Sequence, residues 1–578
     1  KLLETAPKTV QLAAGASKTI TLKCEVLNKI ATGDLILSFE ANGMKDQLAT
    51  TINARPRGFP VNEVFAGDAM SKEFSLTIQE VLEGSLVAKL QVYPNTLDEV
   101  MKGMESMLRM PGGCFEQTSS SNYPNLLVLD YLRETGTSMP EVETQVKQYL
   151  EVGYQRLVGY ESPSGGFDWW GRDPGHEALS AYGLMEFVDM KRVYDVDQAL
   201  IDRTAKWLLS RKDGKGSWNK NQHALHSWAV AEVTDAYIVW AMTEAGYTQE
   251  ITEELDKSYK DAVKSEDPYM MALMANALFN AKDKRATVLV KELVKLQKKD
   301  GSFVGLTSSV TNSTGQSLMV ETSSLAVLAM LQTKSYHKEV QSALKAIQTG
   351  KSYYGYGSTQ GTVLALKAML QQAKNSKKAS EAGELLVSIN GKQVTSIAYT
   401  ADQTEILIPN LGQFLKDGKQ EIKVAYKDTK APMPWDLEVT YTTRVPQNSP
   451  KCVLSLSTEL PKNKVKMGET IRLTTTLTNT STKGQPMTMA MIGIPAGLSL
   501  QPWQLKELQE KKIVDYYELF DGYVVFHYEQ LKPNQTKIVH LDLKADVLGS
   551  YEAPASSAFL YYTNEHKVWT MPERMAIN

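Results

Sequence analysis

The apolar residues of this 578-residue chain change period twice, and nothing else in the sequence limits its architecture as strongly. From about residue 95 to about 375 they recur at helical spacing. On both sides they alternate with the period of two that turns one face of a strand to a core. Upstream, residues 19–26 alternate after a turn at Gly15, and residues 34–39 read as a second strand. Phe74, Leu76 and Ile78, then Leu86, Ala88, Leu90 and Val92, give two more, closed by Pro94. Two strands alone make no stable sheet, so these need partners elsewhere in the chain. The alternating stretches at 421–426 and 436–441 are the expected partners, with 385–389 opening a hairpin at Asn390-Gly391. The helical block is then an insertion into a β-domain, which neighbouring chain ends permit. After a linker at 445–450 comes a last β-domain. There Ile471, Leu473, Thr475 and Leu477 alternate, as do Met487, Met489 and Met491, and a short helix at 503–508 interrupts the strands.

Within the helical block a loose repeat is visible. A glycine-aromatic turn precedes a helix rich in small residues four times: Gly166-Phe167, Gly216-Ser217-Trp218, Gly301-Ser302-Phe303 and Gly355-Tyr356. Residues 268–279 are a candidate for one more unit. Helical hairpins of this kind bury their apolar faces on their neighbours. The length calls for several domains rather than one core. With 22% charged residues and a net charge of −3, no basic excess points to nucleic acid and no polybasic run to a membrane.

At the head of the block stands Met110-Pro111-Gly112-Gly113-Cys114-Phe115-Glu116-Gln117. A thiol and a side-chain amide three positions apart can condense, with loss of ammonia, to an internal thioester. The two preceding glycines supply the backbone freedom that so tight a ring needs. Such a bond is a far better acyl donor than an amide, because its leaving group is a thiolate with a pKa of roughly 8.5. A buried cysteine beside a loop glutamine is the plainer account of a bare Cys-x-x-Gln, and four residues do not separate the two. His223 and His226, three apart, are either one helical face beside Trp228 or two metal ligands, but no Cys or acidic residue completes a ligand set. His176-Glu177 begins like a zinc-protease motif that fails at Ser180. No metal or other cofactor is expected.

The motif resembles the Cys-x-Glu-Gln signature of the alpha-2-macroglobulin and complement superfamily of thioester proteins. Residues 125–132, Gly153-Tyr154-Gln155-Arg156 and the Gly355-to-Gln360 stretch follow in the family's order, over roughly the second half of a full-length member. Phe115 departs from the glycine that vertebrate members carry and is more like bacterial ones. The resemblance implies a multidomain α and β chain, an α/α toroid inserted in a split, CUB-like β-sandwich and flanked by macroglobulin-type β-sandwiches. The boundaries expected are 1–55 for an incomplete β-domain, 56–94 and 376–446 for the split domain, 95–375 for the toroid, and 447–578 for a receptor-binding-type domain. About six helical pairs closing into a ring would gather Cys114, the Trp218 loop and the Tyr356 loop at one end. Lys1-Leu2-Leu3-Glu4 has no signal-peptide anatomy, so either a leader has been removed or the sequence is a piece of a longer chain; the resemblance implies the second, because members carry several more β-domains upstream.

In function the resemblance implies a defence protein that captures its target covalently, once, through Cys114 and Gln117, and so an endopeptidase inhibitor rather than an enzyme. A stored thioester must be kept dry, and Phe115, Tyr561 and Tyr562 are the expected shields. The family position ten residues after the glycine of a glycine-x-aromatic turn separates amine from hydroxyl acceptors; counted from Gly216 it is His226. A neutral histidine there can attack the Gln117 carbonyl, freeing a Cys114 thiolate that deprotonates an incoming hydroxyl. The partners implied are proteases or hydroxyl-bearing surfaces, with no nucleic acid, and with membrane contact only through an anchor outside this chain. A protease trap, a complement-like surface tag, and a metal-dependent toroid enzyme remain as alternatives. Three cysteines are few for a secreted protein of this size, and Cys24 and Cys452 are either paired or free. The resemblance implies an extracytoplasmic setting, the periplasm or cell envelope if the source is bacterial and secreted otherwise.

Overall fold

The computed structural model describes residues 9–13, 15–18, 20, 31–41, 43–54, 58–67, 69–92, 108–135, 139–221, 230–333, 335–352, 355–375, 381–400, 403, 406–430 and 433–578. All of the strand expected at 19–26 except Ile20, together with Cys24, His223 and His226, lies outside the described residues.

The helical block contains, in chain order, α1 (Phe115–Thr135), α2 (Pro140–Val158), α3 (Glu177–Met190), α4 (Gln198–Ser210), α5 (Ala231–Glu244), α6 (Thr252–Ser265), α7 (Pro268–Asn280), α8 (Arg285–Val294), α9 (Gly315–Gln332), α10 (His337–Gln348) and α11 (Thr359–Asn375). The odd-numbered helices form an inner ring. Each packs on the next, α1 on α3, α3 on α5, and so on to α11, which closes the circle on α1. The even-numbered helices lie outside them. Composition explains the sorting. Inner helices are apolar or small all round and bury nearly every residue; α7 buries everything from Pro268 to Leu278. Outer helices bury one stripe, as α10 does with Val340, Ala343, Ala346 and Ile347. Small residues set the closest approaches. A Cβ on Gly183 of α3 would lie 2.6 Å from Phe115 Cζ.

Two four-stranded sheets are built from chain segments on either side of this ring. One has the order Ile406–Ile408, Val87–Val92, Trp435–Thr443, Phe59–Gly67; the other Ser71–Ile78, Gly418–Lys427, Gly383–Ile389, Lys392–Tyr399. Asn390 and Gly391, with φ of 51° and 77°, make the hairpin turn between the last pair. The helical ring is therefore inserted between strands 87–92 and 383–389 of one β-unit. An ion pair of 2.6 Å between Lys351 and Asp436 joins ring and sheet. Residues 31–41 and 44–54 form a separate antiparallel hairpin.

The last 125 or so residues fold around their own core, with a five-stranded sheet in which Gln485–Gly493 is central and Ser556–Leu560 lies beside it. This β-domain sits on one end of the ring. Trp170 stacks on Tyr516 with ring centroids 3.4 Å apart, and Arg172 donates to the Asp515 carbonyl at 3.1 Å. Met487 and Tyr562 belong to the buried core of the helical ring rather than to that of their own domain.

Candidate functional site

The end of the ring covered by the β-domain is where the N-termini of α1, α9 and α11 meet. Cys114 immediately precedes α1, where a helix leaves its first N–H groups without intrahelical partners. Three of them find work locally. The Phe115 N–H donates to the Trp169 carbonyl at 2.8 Å, and those of Glu116 and Gln117 are directed at the Cys114 sulfur. The Cys114 N–H itself donates to Gln117 Oε1 at 3.1 Å. The Gln117 amide is thus folded back onto the backbone of Cys114 across a single turn. Gly113 allows it: its φ is +79°, and a Cβ there would fall 1.9 Å from Gln117 Oε1 and 2.9 Å from Gln117 Cδ. Its carbonyl is held by Tyr160 and by Arg156, the latter at 3.2 Å.

The surroundings are dry. Cys114 is fully buried and Gln117 is 7% exposed. Phe115 lies below the turn, stacked on Phe167 at 4.8 Å, pinned in the ring's core. Above it the β-domain closes the site. Gln117 Nε2 donates to Met489 Sδ at 3.3 Å. Tyr562 is buried, accepts from Trp169 Nε1 at 3.3 Å through its hydroxyl, and through its carbonyl accepts from Ser313 at 3.1 Å. Tyr561, half-buried beside it, is tied by its N–H to the Met487 carbonyl at 3.0 Å. The structure thus brings Cys114, Gln117, Phe115, Tyr561 and Tyr562 to one place. Met489 was not singled out from sequence as part of the site; its only signal is the run of three alternating methionines, soft side chains suited to an irregular lid.

Burial, then the nearby Glu116 carboxylate, pushes the Cys114 thiol well above its usual range, against the N–H groups of Gln117 and Glu116. A Cys114 thiolate is therefore disfavoured in this buried setting.

The ring's interior beneath the site holds buried carboxyls. Glu116 accepts from Ser120 at 2.8 Å and from Thr359 of α11 at 2.7 Å, and burial raises it to about 7. Glu186 accepts from Asn122 at 2.9 Å and is raised by burial to about 8. The second oxygens of both have no partner among the described residues. A carboxyl whose folded pKa lies above its ordinary 4.5 binds its proton more tightly when folded. The stability from Glu186 is complete below about pH 4.5 and is lost as the pH rises through 8. Glu186→Gln is expected to flatten the fall in stability between pH 5 and pH 8 by an amount on the order of a few kcal/mol. Urea unfolding at the two pH values measures it, and an unchanged slope would refute the assignment.

The loop leading toward His226 is anchored on the ring. Asn221 donates through its N–H to Glu177 at 3.2 Å and through its side chain to the Gly175 carbonyl at 2.8 Å, while Lys220 pairs with Asp235 at 2.6 Å. His176 caps α3, accepting from the Leu179 N–H at 3.4 Å, which is a structural task.

Residues 90–371 match the family model of the A-macroglobulin TED domain. Those residues are a TED domain of the alpha-2-macroglobulin and complement superfamily of thioester proteins. It is 27% identical to ovostatin of Gallus gallus over 369 residues, covering 59% of this chain and 25% of ovostatin. It is 27% identical to thioester-containing protein 1 allele R1 of Anopheles gambiae over 221 residues, covering 38% and 14%. The chain thus spans a quarter or less of these curated relatives. Its fold is similar along its whole length to native alpha-2-macroglobulin of Escherichia coli from domain MG7 to the C-terminus (TM-score 0.73, 14% identity, 92% of that chain). A Salmonella alpha-2-macroglobulin reacted with methylamine is similar to the same degree (TM-score 0.74, 15% identity, 38% of that chain). In these terms the ring is the TED domain, and the fold of the covering unit is similar to the C-terminal part of the Escherichia coli structure.

Proposed function

We propose that Cys114 Sγ and Gln117 Cδ form an internal thioester, and that this chain is the covalent-capture part of an alpha-2-macroglobulin-type defence protein acting outside the cytoplasm. The observation that carries the reading is the Cys114–Gln117 turn: the Gln117 amide folds back onto the Cys114 N–H over a glycine that admits no side chain, with both residues buried. Phe115, Met489, Tyr561 and Tyr562 keep water from the bond. Movement of the C-terminal β-domain exposes it. Residues 56–94 and 376–446 form the split CUB-type domain that carries the TED domain in that movement. The acceptor is a protease trapped by the longer protein, joined through hydroxyl groups by way of His226. Each molecule reacts once, so the protein is an inhibitor and not a turnover catalyst.

Intact mass with peptide mapping, before and after methylamine and with a thiol alkylator present, tests the bond. The expected protein is lighter than its sequence by one ammonia. Its Cys114 resists alkylation until methylamine adds at Gln117. A protein of full sequence mass with Gln117 intact and Cys114 alkylated at once would end the proposal. Challenge with a protease panel should then give covalent conjugates that Cys114→Ala abolishes, and their absence would refute trapping while leaving the thioester.

A further inference from the structure

The carbonyl oxygen of Gly113 has more donors than a carbonyl ordinarily collects. Arg156 Nη2 approaches it at 3.2 Å, Thr118 Oγ1 at 3.4 Å, and the Tyr160 hydroxyl closer than either. Arg156 also donates to the Tyr160 hydroxyl at 3.2 Å, so a guanidinium stands behind both contacts. The other half of the same peptide unit is the N–H of Cys114, and that N–H donates to Gln117 Oε1 at 3.1 Å. A backbone N–H can face only an acceptor, so the atom it meets is the amide oxygen and not the nitrogen. That oxygen remains when the nitrogen leaves as ammonia. It is also the atom on which negative charge collects when the carbonyl carbon is attacked.

We propose that the Gly113–Cys114 peptide is the oxyanion-stabilising group for the Gln117 acyl centre, polarised from behind by Arg156 and Tyr160. This rests on the thioester reading and deepens it. When the bond forms, Cys114 Sγ attacks Gln117 Cδ, the carbonyl pair moves onto Oε1, the Cδ–Nε2 bond breaks, and the thiol proton leaves with the nitrogen as ammonia. When an amine opens it, the amine nitrogen bonds to Cδ and charge again collects on Oε1. The Cδ–Sγ bond then breaks with its electron pair on sulfur, and the ammonium proton passes to the thiolate. Both directions load the Cys114 N–H in the same way. Hydrogen bonds accepted at one end of a peptide strengthen the one donated at the other. Backbone donors aimed at a developing oxyanion are worth about 10²–10³ in rate.

The arrangement also survives opening. Gly113, Cys114, Gln117, Thr118, Arg156 and Tyr160 all belong to the TED domain, whereas the Met489 contact of Gln117 comes from the C-terminal β-domain. The relay therefore stays with the bond when the lid leaves. Arg156 and Tyr160 are positioning residues, since they act through the peptide and touch no reacting atom.

The test uses protein labelled with ¹³C at the glutamine side-chain carbonyl. Wild type, Arg156→Met, Tyr160→Phe and Arg156→Lys are compared by infrared spectroscopy, by methylamine rate and by thermal unfolding. In Arg156→Met and Tyr160→Phe the thioester carbonyl band should move to higher frequency and the rate should fall about tenfold, a fraction of the full oxyanion effect. The unfolding midpoint should stay near that of wild type, and Arg156→Lys should recover part of both signals. A folded Arg156→Met protein that never forms the bond, while Arg156→Lys does, also counts for the relay, because formation loads the same oxygen. Bands and rates indistinguishable from wild type in folded, thioester-bearing variants would overturn the relay and leave the thioester standing. A wild-type protein of full sequence mass would instead remove the thioester reading beneath it.

Discussion

Gly113→Ala is expected to yield a folded protein with no thioester. The substitution acts in two ways. Position 113 has φ of +79°, where an L side chain is strained by about 1–2 kcal/mol. The new methyl would also sit 1.9 Å from Gln117 Oε1, so the Gln117 side chain must swing away from Cys114. The second effect is decisive for chemistry, because displacing the acyl carbon by even about 1 Å from the sulfur costs about 10² in rate. Intact mass should equal that of the sequence, and Cys114 should alkylate as soon as the lid opens. A variant still one ammonia light would show that the turn described here is not the reacting geometry. Gly112→Ala is the internal control, since a Cβ there meets nothing within 4 Å.

The second large effect lies on the lid. Tyr562 fills the space over the site and holds Trp169 and Ser313 from across the domain boundary. Truncating a large buried aromatic to alanine costs about 3–5 kcal/mol. If that loss falls on the contact between the β-domain and the ring, the open form becomes at least about 100-fold more populated. Tyr562→Ala is therefore expected to react with methylamine, and to hydrolyse on storage, about 100-fold faster than wild type. The readout is release of the Cys114 thiol against time. Equal rates in the two proteins would mean that access to the bond is controlled elsewhere. Tyr561→Ala should act in the same direction and more weakly, because Tyr561 is only half-buried.

The Cys114–Gln117 spacing, the helical block and several of the strands could be read from local pattern. Cys114 and Gln117 lie three positions apart, and the period-two stretches at 74–78, 421–426 and 436–441 lie within strands of the structure. The glycine-aromatic turns each lead into an inner-ring helix, because a turn that brings the chain to the ring's end needs a residue tolerant of positive φ, as at Gly166 and Gly301. What local pattern could not supply is contact between residues hundreds of positions apart. Met489 reads as one more alternating strand residue, yet its sulfur meets the Gln117 amide. Arg156 stands in a recognisable stretch, but only the fold shows that it reaches the Gly113 carbonyl. Glu186 reads as a polar residue on a helix, and its burial follows from ring closure, which no single helix encodes. His226 carries the expectation about acceptor choice and lies outside the described residues.

The wall around Cys114 is assembled from distant parts of the chain, and this has a consequence for biosynthesis. The Thr359 hydroxyl that meets Glu116 lies 243 residues after it, and Met489 lies 372 residues after Gln117. A ribosome adding about 5–20 residues per second needs about 10–50 s to reach the first and about 20–75 s to reach the second. Throughout that interval the cysteine has emerged without the walls that later enclose it. It meets the thiols and oxidants of whatever compartment receives the nascent chain. A cell making this protein must therefore either keep Cys114 reduced until the ring has closed or delay folding until the whole chain is present. The yield of active molecules should track the redox conditions of synthesis more steeply than the yield of folded ones.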